Sequence, residues 1–381
     1  MNPLVSIVIP TYNRYPYLIE CLTLLLSFES ADFEVVVQDN SEDTGPVEAF
    51  LRDCNDSRLR YFHDARFHYS QTENSELAVE KAVGDYVCYI GDDDALSREV
   101  VSAASWMKRM DVDALLFDGA PYYWPDVVFE RNPKPCFSIR EFDASVERID
   151  ALFEYRLCAR RGAVDIGGMP RLYHGMVSRD ALLEAKSLAG SFFPGASPDM
   201  ASSVVLSHTV KNPMKLHMPL LIDGFSYRSA GGKSLRGKHK ARIEDVDQLP
   251  DDIAEVWNRF VPRIWLGETI YAQSFYEASS RIGLADEIDY RKLYSSVIAR
   301  NPDCWKYVLA CPKRCAAALI AFDSTKAFSK RVAGYIARSL MPKDHSFVFA
   351  SKEAMPIRQA EAELTCKIAP LMERLMRESS R

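Results

Sequence analysis

Gly84-Asp85-Tyr86-Val87-Cys88-Tyr89-Ile90-Gly91-Asp92-Asp93-Asp94 is the stretch whose reading decides the fold. Tyr86–Ile90 is a short apolar run rich in β-formers, and Gly91 ends it. Three adjacent carboxylates at a strand end repel one another, so a cation must offset their charge. A hard divalent ion with oxygen ligands, Mg2+ or Mn2+, meets that need while bridging a diphosphate. The plainer alternative is an exposed acidic turn in which Asp94 caps a helix starting near Ala95.

Working outward, the same pattern recurs upstream. Val5–Ile9 reads as a buried strand, followed by helical spacing at Leu18, Cys21, Leu22, Leu25 and Leu26. Phe33–Val37 is another β-branched run, then come the turn-rich Asp39–Asp43, a short helix from Val47 to about Arg52, and a strand at Leu59–Phe62. Glu76–Val83 and Ser97–Met110 have helical spacing, and Ala114–Phe117 is a further strand. This alternation predicts an α/β fold with a mostly parallel sheet flanked by helices. Ligands in such sheets lie beyond the carboxyl ends of the strands. Thr11-Tyr12-Asn13-Arg14, Asp39-Asn40 and Asp92-Asp93-Asp94 all fall there. Pro10–Arg14 runs from a strand into a helix start, which suits an anionic or nucleotide group or is a plain connection. Asp39 either accepts from a base N–H or forms an Asx turn.

Residues 121–171 are irregular, with a helix expected over Val146–Leu157. Leu172–Val177 and Leu216–Ile222 read as strands, Arg179–Lys186 and Asp199–His208 as helices, and Ser229–Lys240 as a Gly-rich basic loop. Beyond Asp251 the helical period dominates except at Ser346–Ala350, and a domain boundary is expected near residue 245.

Of 381 residues, 48% are hydrophobic and 26% charged, which excludes wholesale disorder. With 47 Lys+Arg against 53 Asp+Glu the formal charge is −6, so no global basic footprint points to nucleic acid. The nine cysteines include no C-x-x-C pair, which predicts free thiols in a reducing compartment. Leu4–Ile9 is too short for a secretory core, and no segment is long and apolar enough to span a membrane. A cytoplasmic location is expected. Lys306, Lys313, Arg314, Lys326, Lys330, Arg331, Arg338 and Lys343 make the C-terminal helices basic, giving either a peripheral contact at the inner membrane face or a solvated surface.

Taken together, Val5-Ser6-Ile7-Val8-Ile9-Pro10-Thr11-Tyr12-Asn13-Arg14, then Val35-Val36-Val37-Gln38-Asp39-Asn40-Ser41-Glu42-Asp43, then Gly84-Asp85-Tyr86-Val87 leading into Asp92-Asp93-Asp94, resemble the family 2 glycosyltransferases. The likeness covers residues 4–120 and extends more weakly to about 235. It implies a GT-A (Rossmann-like) fold, here with a largely helical C-terminal region. It also implies inverting, metal-dependent transfer of a sugar from a nucleotide sugar, a UDP-sugar, to a saccharide or lipid-linked saccharide in surface polysaccharide biosynthesis. Residues 1–120 would form the nucleotide-sugar half, 121–245 the acceptor half and 246–381 a helical domain. Pro10, Thr11, Tyr12 and Arg14 would line the nucleotide pocket, and Asp39 would contact uracil. Asp92, Asp93 and Asp94 match the family's D-x-D, with Asp92 on the nucleotide, Asp93 and Asp94 on Mn2+ or Mg2+, and Asp93 the favoured direct ligand.

Two departures stand out. The first Asp of the usual pattern aligns with Gly91, and Ser70-Gln71-Thr72-Glu73-Asn74 has Glu73 where many members place Arg. The family's general base opens a helix in the acceptor half, which points to Asp199, with Asp165 and Asp180 next. The alternative is an Asp that only favours the helix dipole. Lys233, with Arg228, Arg236, Lys238, His239 and Lys240, would fold over the diphosphate, or the loop is simply solvated. Gly231-Gly232-Lys233-Ser234 lacks the upstream glycine of a phosphate loop. His174 and His208 receive no role. A sugar-nucleotide pyrophosphorylase or a non-catalytic nucleotide-sugar-binding module are the competing readings.

Overall fold

The computed structural model describes residues 2–127, 134–235, 240–312, 317–340 and 347–379. Among them eleven strands form one sheet. These are β1 (Val5–Thr11), β2 (Phe33–Asp39), β3 (Leu59–His63), β4 (Tyr86–Tyr89), β5 (Ala95–Leu96), β6 (Ala114–Tyr123), β7 (Phe137–Arg140), β8 (Val146–Arg148), β9 (Gly175–Ser178), β10 (Pro213–Phe225) and β11 (Phe347–Ser351). β3, β2, β1 and β4 lie side by side and parallel. Beyond β4 the sheet is mixed: β9 joins β4 to β6 antiparallel, and β7 and β11 continue it. β10 runs parallel to β6 and antiparallel to β5 and β8.

The parallel core follows from the sequence of β1 and β2, whose residues are buried on both faces as parallel strands require. Alternate side chains feed two cores. Ile7, Ile9, Val35 and Val37 pack with Leu18, Leu22 and Leu25 on one face. Val8 and Val36 pack with Ala78 and Val79 on the other. The helix Gln71–Glu80 opens with a capping box in which the Glu73 carboxylate accepts from the Ser70 N–H at 2.8 Å. The glutamate that departs from the family pattern therefore caps a helix.

The C-terminal helices belong to the same cores. Gly267–Arg281 and Tyr290–Arg300 contribute Phe275, Leu293 and Val297 to the core that also holds Tyr155 and Val204. The helix Ile357–Glu378 packs Ala360, Leu364 and Ile368 on the opposite face. The strand read at Ser346–Ala350 is β11, hydrogen-bonded to β7.

Four expectations shift. Val146–Arg148 is β8, and the helix starts only at Ala151, where Asp150 caps it by accepting from the Phe153 N–H. The strand placed at Leu172 begins at Gly175, because Leu172–Gly175 make a tight turn. β10 spans 13 residues, longer than read at both ends because residues 213–215 and 223–225 also pair with β6, and Pro219 sits at a bulge within it. Ala230–Leu235, expected as loop, is a short helix, while Arg236, Lys238 and His239 lie outside the described residues. No disulfide forms among the described cysteines, and no described helix is long and apolar enough to cross a membrane.

One ion pair ties the last helix to the segment that follows β5. Glu361, buried, accepts from Arg98 Nη2 at 2.8 Å, Arg98 Nε at 3.1 Å and Thr365 Oγ1 at 2.7 Å. Burial acts to raise its carboxyl, but the bonds from Arg98 and Thr365 outweigh it and hold the group below the usual carboxylate range. A depressed carboxyl contributes stability that is present above its unfolded value and lost as pH falls through its folded one. Because Arg98 is 45% exposed and can rehydrate, Glu361→Ala is expected to cost about 1–3 kcal/mol. Thermal melts at pH 7 should show the loss, and the difference between variant and parent should shrink in acid. An unchanged melting temperature would mean that this pair does not secure the helix.

Candidate functional site

β1 and β2 end in register, with Thr11 opposite Asp39, and β4 ends beside them just before Asp92. The sheet thus gathers the three polar clusters at one edge. Thr11 Oγ1 donates to Asp92 Oδ2 at 2.6 Å. Arg14 Nη2 pairs with Asp93 Oδ1 at 2.7 Å and donates to Ser226 Oγ at 2.8 Å. Arg14 Nε stands 3.0 Å from Asp92 Oδ1, close enough to pair yet too poorly aligned for a hydrogen bond. The cation demanded by the Asp triplet is therefore supplied in part by the chain itself. Burial, opposed by Arg14 and reinforced by Asp93, pushes Asp92 up to about 7. Burial likewise raises Asp93, with Arg14 opposing and Asp94 adding. For Arg14, burial works against the charged form but Asp92 and Asp93 outweigh it, so it remains a cation.

Asp94 is held differently. Its Oδ2 accepts from the Gly91 N–H at 2.8 Å and faces His174 Nε2 at 2.7 Å, and its Oδ1 accepts from the Gly224 N–H at 2.8 Å. Asp94, His174 and Asp223 present ligand atoms within 4.8 Å of one another. One imidazole nitrogen and two carboxylate oxygens suit Mn2+ and admit Mg2+. Burial, opposed by His174 and reinforced by Asp94 and Asp93, pushes Asp223 up to about 6. For His174, burial lowers but Asp94 raises more, leaving the ring above its ordinary value. Asp93, read from sequence as the direct metal ligand, instead has Oδ1 on Arg14 and Oδ2 on the Ser226 N–H. Asp94 is the member of the triplet in the ligand group.

Backbone geometry fixes this cluster. His174 sits at φ 59, a left-handed conformation uncommon for a non-glycine residue and concentrated at functional sites. Gly224 passes so close to the triplet that a Cβ there would lie 1.7 Å from the Asp93 carbonyl oxygen. Gly224→Ala is thus expected to push β10 off Asp94 and weaken Mn2+ binding at least about tenfold, as disturbing the support of a metal ligand does. Titration with Mn2+ would test this, and unchanged affinity would show that the Gly224 contact is dispensable.

Asp39 has no exposed surface. Its Oδ2 accepts from Tyr15 at 2.7 Å and Tyr61 at 2.6 Å, and its Oδ1 from the Ser41 N–H at 2.8 Å. Reaching a base N–H would require it to share those bonds. Tyr12 is 40% exposed, with its ring edge-on to His68. Pro10 is half-buried at the end of β1, and Lys233 is exposed on the short helix Ala230–Leu235.

Asp199 is the second residue of the helix Pro198–Thr209. Its Oδ2 accepts from Tyr271 at 2.6 Å and its Oδ1 from the Ser197 hydroxyl. The turn before it is clamped by the helix Gly267–Arg281: Ser197 N–H donates to Ser274 Oγ at 2.7 Å and Ala196 N–H to Glu277 Oε2 at 2.9 Å. Tyr271, Ser274 and Glu277 recur every three residues and so share one helix face. Tyr89, hydrogen-bonded to Ser75, feels the charge of both Asp199 and the triplet. Burial raises its phenol, its bond to Ser75 opposes, and Asp199, Asp92 and Asp94 all add to the rise. Asp180, a reserve candidate, is exposed beside Gly84 and Asp85, at the opposite edge of β4 from the triplet.

Sequence reasoning missed His174, Asp223 and Tyr271, which reach the site from residues 80, 129 and 72 positions away from their partners. Asp223 had a usable signal, since it directly follows the expected strand Leu216–Ile222, much as Asp39 closes β2.

The sequence profile of the family described as glycosyl transferase family 2 matches residues 6–165. An uncharacterized glycosyltransferase of Rickettsia felis is 27% identical over 119 residues, 31% of this chain and 19% of that protein. The GalNAc(5)-diNAcBac-PP-undecaprenol beta-1,3-glucosyltransferase of Campylobacter jejuni is 29% identical over 96 residues, 25% of this chain and 31% of that one. The chain thus spans only a fifth to a third of the length of these relatives. Among solved structures, Staphylococcus aureus TarS 1–349 with UDP-GlcNAc aligns at TM-score 0.46 and 16% identity over 88% of this chain and 92% of that chain. A Pyrobaculum calidifontis mannosyltransferase with GDP-Man and Mn2+ aligns at 0.42 and 13%, over 100% and 86%. The match to glycosyl transferase family 2 covers residues 6–165, the part of the chain that carries the paired strands and the Asp triplet.

Proposed function

We propose that the chain is an inverting, metal-dependent glycosyltransferase that moves a sugar from a UDP-sugar to a hydroxyl of a saccharide or lipid-linked saccharide in surface polysaccharide biosynthesis. The observation that carries this is the Asp94–His174–Asp223 group standing beside the ion-paired Asp92 and Asp93 at the strand ends of a family 2 domain. Mn2+ or Mg2+ held by Asp94, His174 and Asp223 would neutralise charge on the departing nucleotide diphosphate. Arg14 pairs with Asp92 and Asp93 and holds them in place, leaving Asp92 to meet the ribose. Pro10, Thr11 and Tyr12 wall the nucleotide pocket, Tyr12 offering an exposed ring to the base, with Asp39 behind it. Lys233 would reach the diphosphate from the short helix after β10. Asp199 takes the proton of the acceptor hydroxyl as it attacks, and Tyr271 orients that carboxylate.

Residues 1–120 then act as the donor half, 121–245 as the acceptor half and 246–381 as a helical region that clamps the Asp199 turn. A lipid-linked acceptor is supported by the name of the Campylobacter relative. A cytoplasmic, membrane-peripheral location is supported by exposed Lys306, Lys326 and Lys330 among exposed Trp305 and Phe322, while Lys313, Arg314 and Lys343 lie outside the described residues. The test is UDP release from a panel of UDP-sugars, with Mn2+ and with EDTA. Release that depends on Mn2+ supports the reading. Tight UDP binding without any release favours a binding module, and nucleotide-sugar formation from UTP and a sugar 1-phosphate a pyrophosphorylase.

A further inference from the structure

Half-buried arginines in this chain are normally satisfied within the protein. Arg58, for example, spends its donors on Asp56 and on the carbonyls of Leu26, Phe28 and Ser30. Arg171 differs. Among the described residues its side chain makes no hydrogen bond and no ion pair, although its Nε is fully buried. A guanidinium with all five donors unspent in a poorly hydrated place carries a real desolvation cost.

Its surroundings indicate what would offset that cost. Burial lowers the Arg171 value, and Tyr271, Asp199 and Asp118 are the groups near enough to act against the drop. Arg171 in turn opposes the charging-up of His174. Arg171 is thus near enough to both the metal-ligand group and the Asp199–Tyr271 pair to feel their charge. It is also fixed there. Arg171 leads directly into the tight turn Leu172–Gly175 that carries His174, closed by the Gly175 N–H bonding to the Leu172 carbonyl at 3.2 Å. A Cβ on Gly175 would stand 2.3 Å from the Arg171 carbonyl oxygen, so only glycine lets the turn close. The backbone that delivers His174 to the ligand group therefore also delivers Arg171.

A rigid, planar, unpaired fork of N–H donors matches phosphate oxygens, which it can take two at a time. We propose that Arg171 is an anion-binding residue that takes a phosphate group of a substrate. The phosphate comes either from the donor nucleotide or from a lipid-linked acceptor. The choice of these two sources rests on the transferase reading above; the anion site itself rests on the geometry.

Calorimetry on the full chain with Mn2+ tests it, using inorganic pyrophosphate, UDP and uridine as probes on the parent, Arg171→Gln and Arg171→Lys. A bond to a charged group is at stake, so Arg171→Gln should lose at least about tenfold in pyrophosphate affinity and leave uridine unchanged. If the donor supplies the phosphate, UDP affinity falls equally. If the acceptor does, UDP affinity holds, and geranyl diphosphate binding to the UDP–Mn2+-loaded protein falls instead. Arg171→Lys keeps the charge without the fork and should lose severalfold, which covers the case in which the glutamine variant does not fold. Phosphate affinities within twofold of the parent in both variants would overturn the proposal, as would an equal loss for uridine. A parent that binds pyrophosphate but no nucleotide would sink the transferase reading and leave the anion site standing; one that binds neither overturns both.

Discussion

Asp94→Ala is expected to abolish Mn2+-dependent UDP binding, whereas Asp93→Ala should leave most Mn2+ affinity intact. The two residues are sequence neighbours of the same charge, and their environments separate them. Asp94 Oδ2 is 2.7 Å from His174 Nε2 and both residues join Asp223 in one ligand group. Removing it takes away a ligand and also the acceptor that fixes the Gly91 and Gly224 N–H groups. Disturbing groups that merely support a ligand costs about 10–100-fold in metal affinity, so losing the ligand itself should cost at least about a hundredfold. Asp93 is committed to Arg14 and the Ser226 N–H. Its loss leaves Arg14 with Asp92 as its one remaining carboxylate partner, which should lower the melting temperature more than it weakens Mn2+ binding. Mn2+ titration followed by electron paramagnetic resonance reads the metal directly, without any sugar or acceptor. A larger Mn2+ loss in Asp93→Ala than in Asp94→Ala would return the direct ligand to Asp93.

That contrast also marks where the sequence was legible. β1, β2 and β4 could be read because fully buried parallel strands are written as unbroken apolar runs, and the polar residues that follow them had to fall on one edge of the sheet. From that edge the Asp triplet, Thr11 and Arg14 were all identifiable. The pairing of Arg14 with Asp92 and Asp93 was not, because a charge-neutralising partner could equally have been a metal. His174 was invisible for a different reason. It lies in a turn at left-handed φ, flanked by Tyr173 and Gly175, and nothing local distinguishes it from a structural histidine. Tyr271 was hidden because it reaches Asp199 from a helix beyond the recognisable part of the chain, and helical periodicity reports which face is buried but not what the face touches. The length of β10 was hidden because its ends, residues 213–215 and 223–225, lie outside the apolar run and are held in the strand by pairing with β6.

Asp199→Asn carries the sharpest kinetic expectation. A general base contributes typically about 10²–10⁴-fold to the rate and little to donor affinity. The substitution preserves shape. Its side-chain oxygen can still accept from Tyr271, and the Ser274 and Glu277 bonds to the preceding turn do not involve Asp199 at all. Stability should therefore hold, as should Mn2+-dependent UDP-sugar binding, since Asp94, His174 and Asp223 are untouched. An amide cannot take the proton, so turnover should fall at least about a hundredfold, with the loss in kcat and not in the donor KM. UDP-sugar hydrolysis, in which water replaces the acceptor and needs the same base, allows the measurement before any acceptor is identified. Tyr271→Phe separates positioning from proton transfer: it leaves the carboxylate in place but frees it to rotate, so it should cost less than Asp199→Asn, and in the double variant it should add little further loss. Additive losses would mean that the two residues act independently, and retained turnover in Asp199→Asn would move the base to another carboxylate. Asp180, exposed at the opposite edge of β4, is not placed to take over the role.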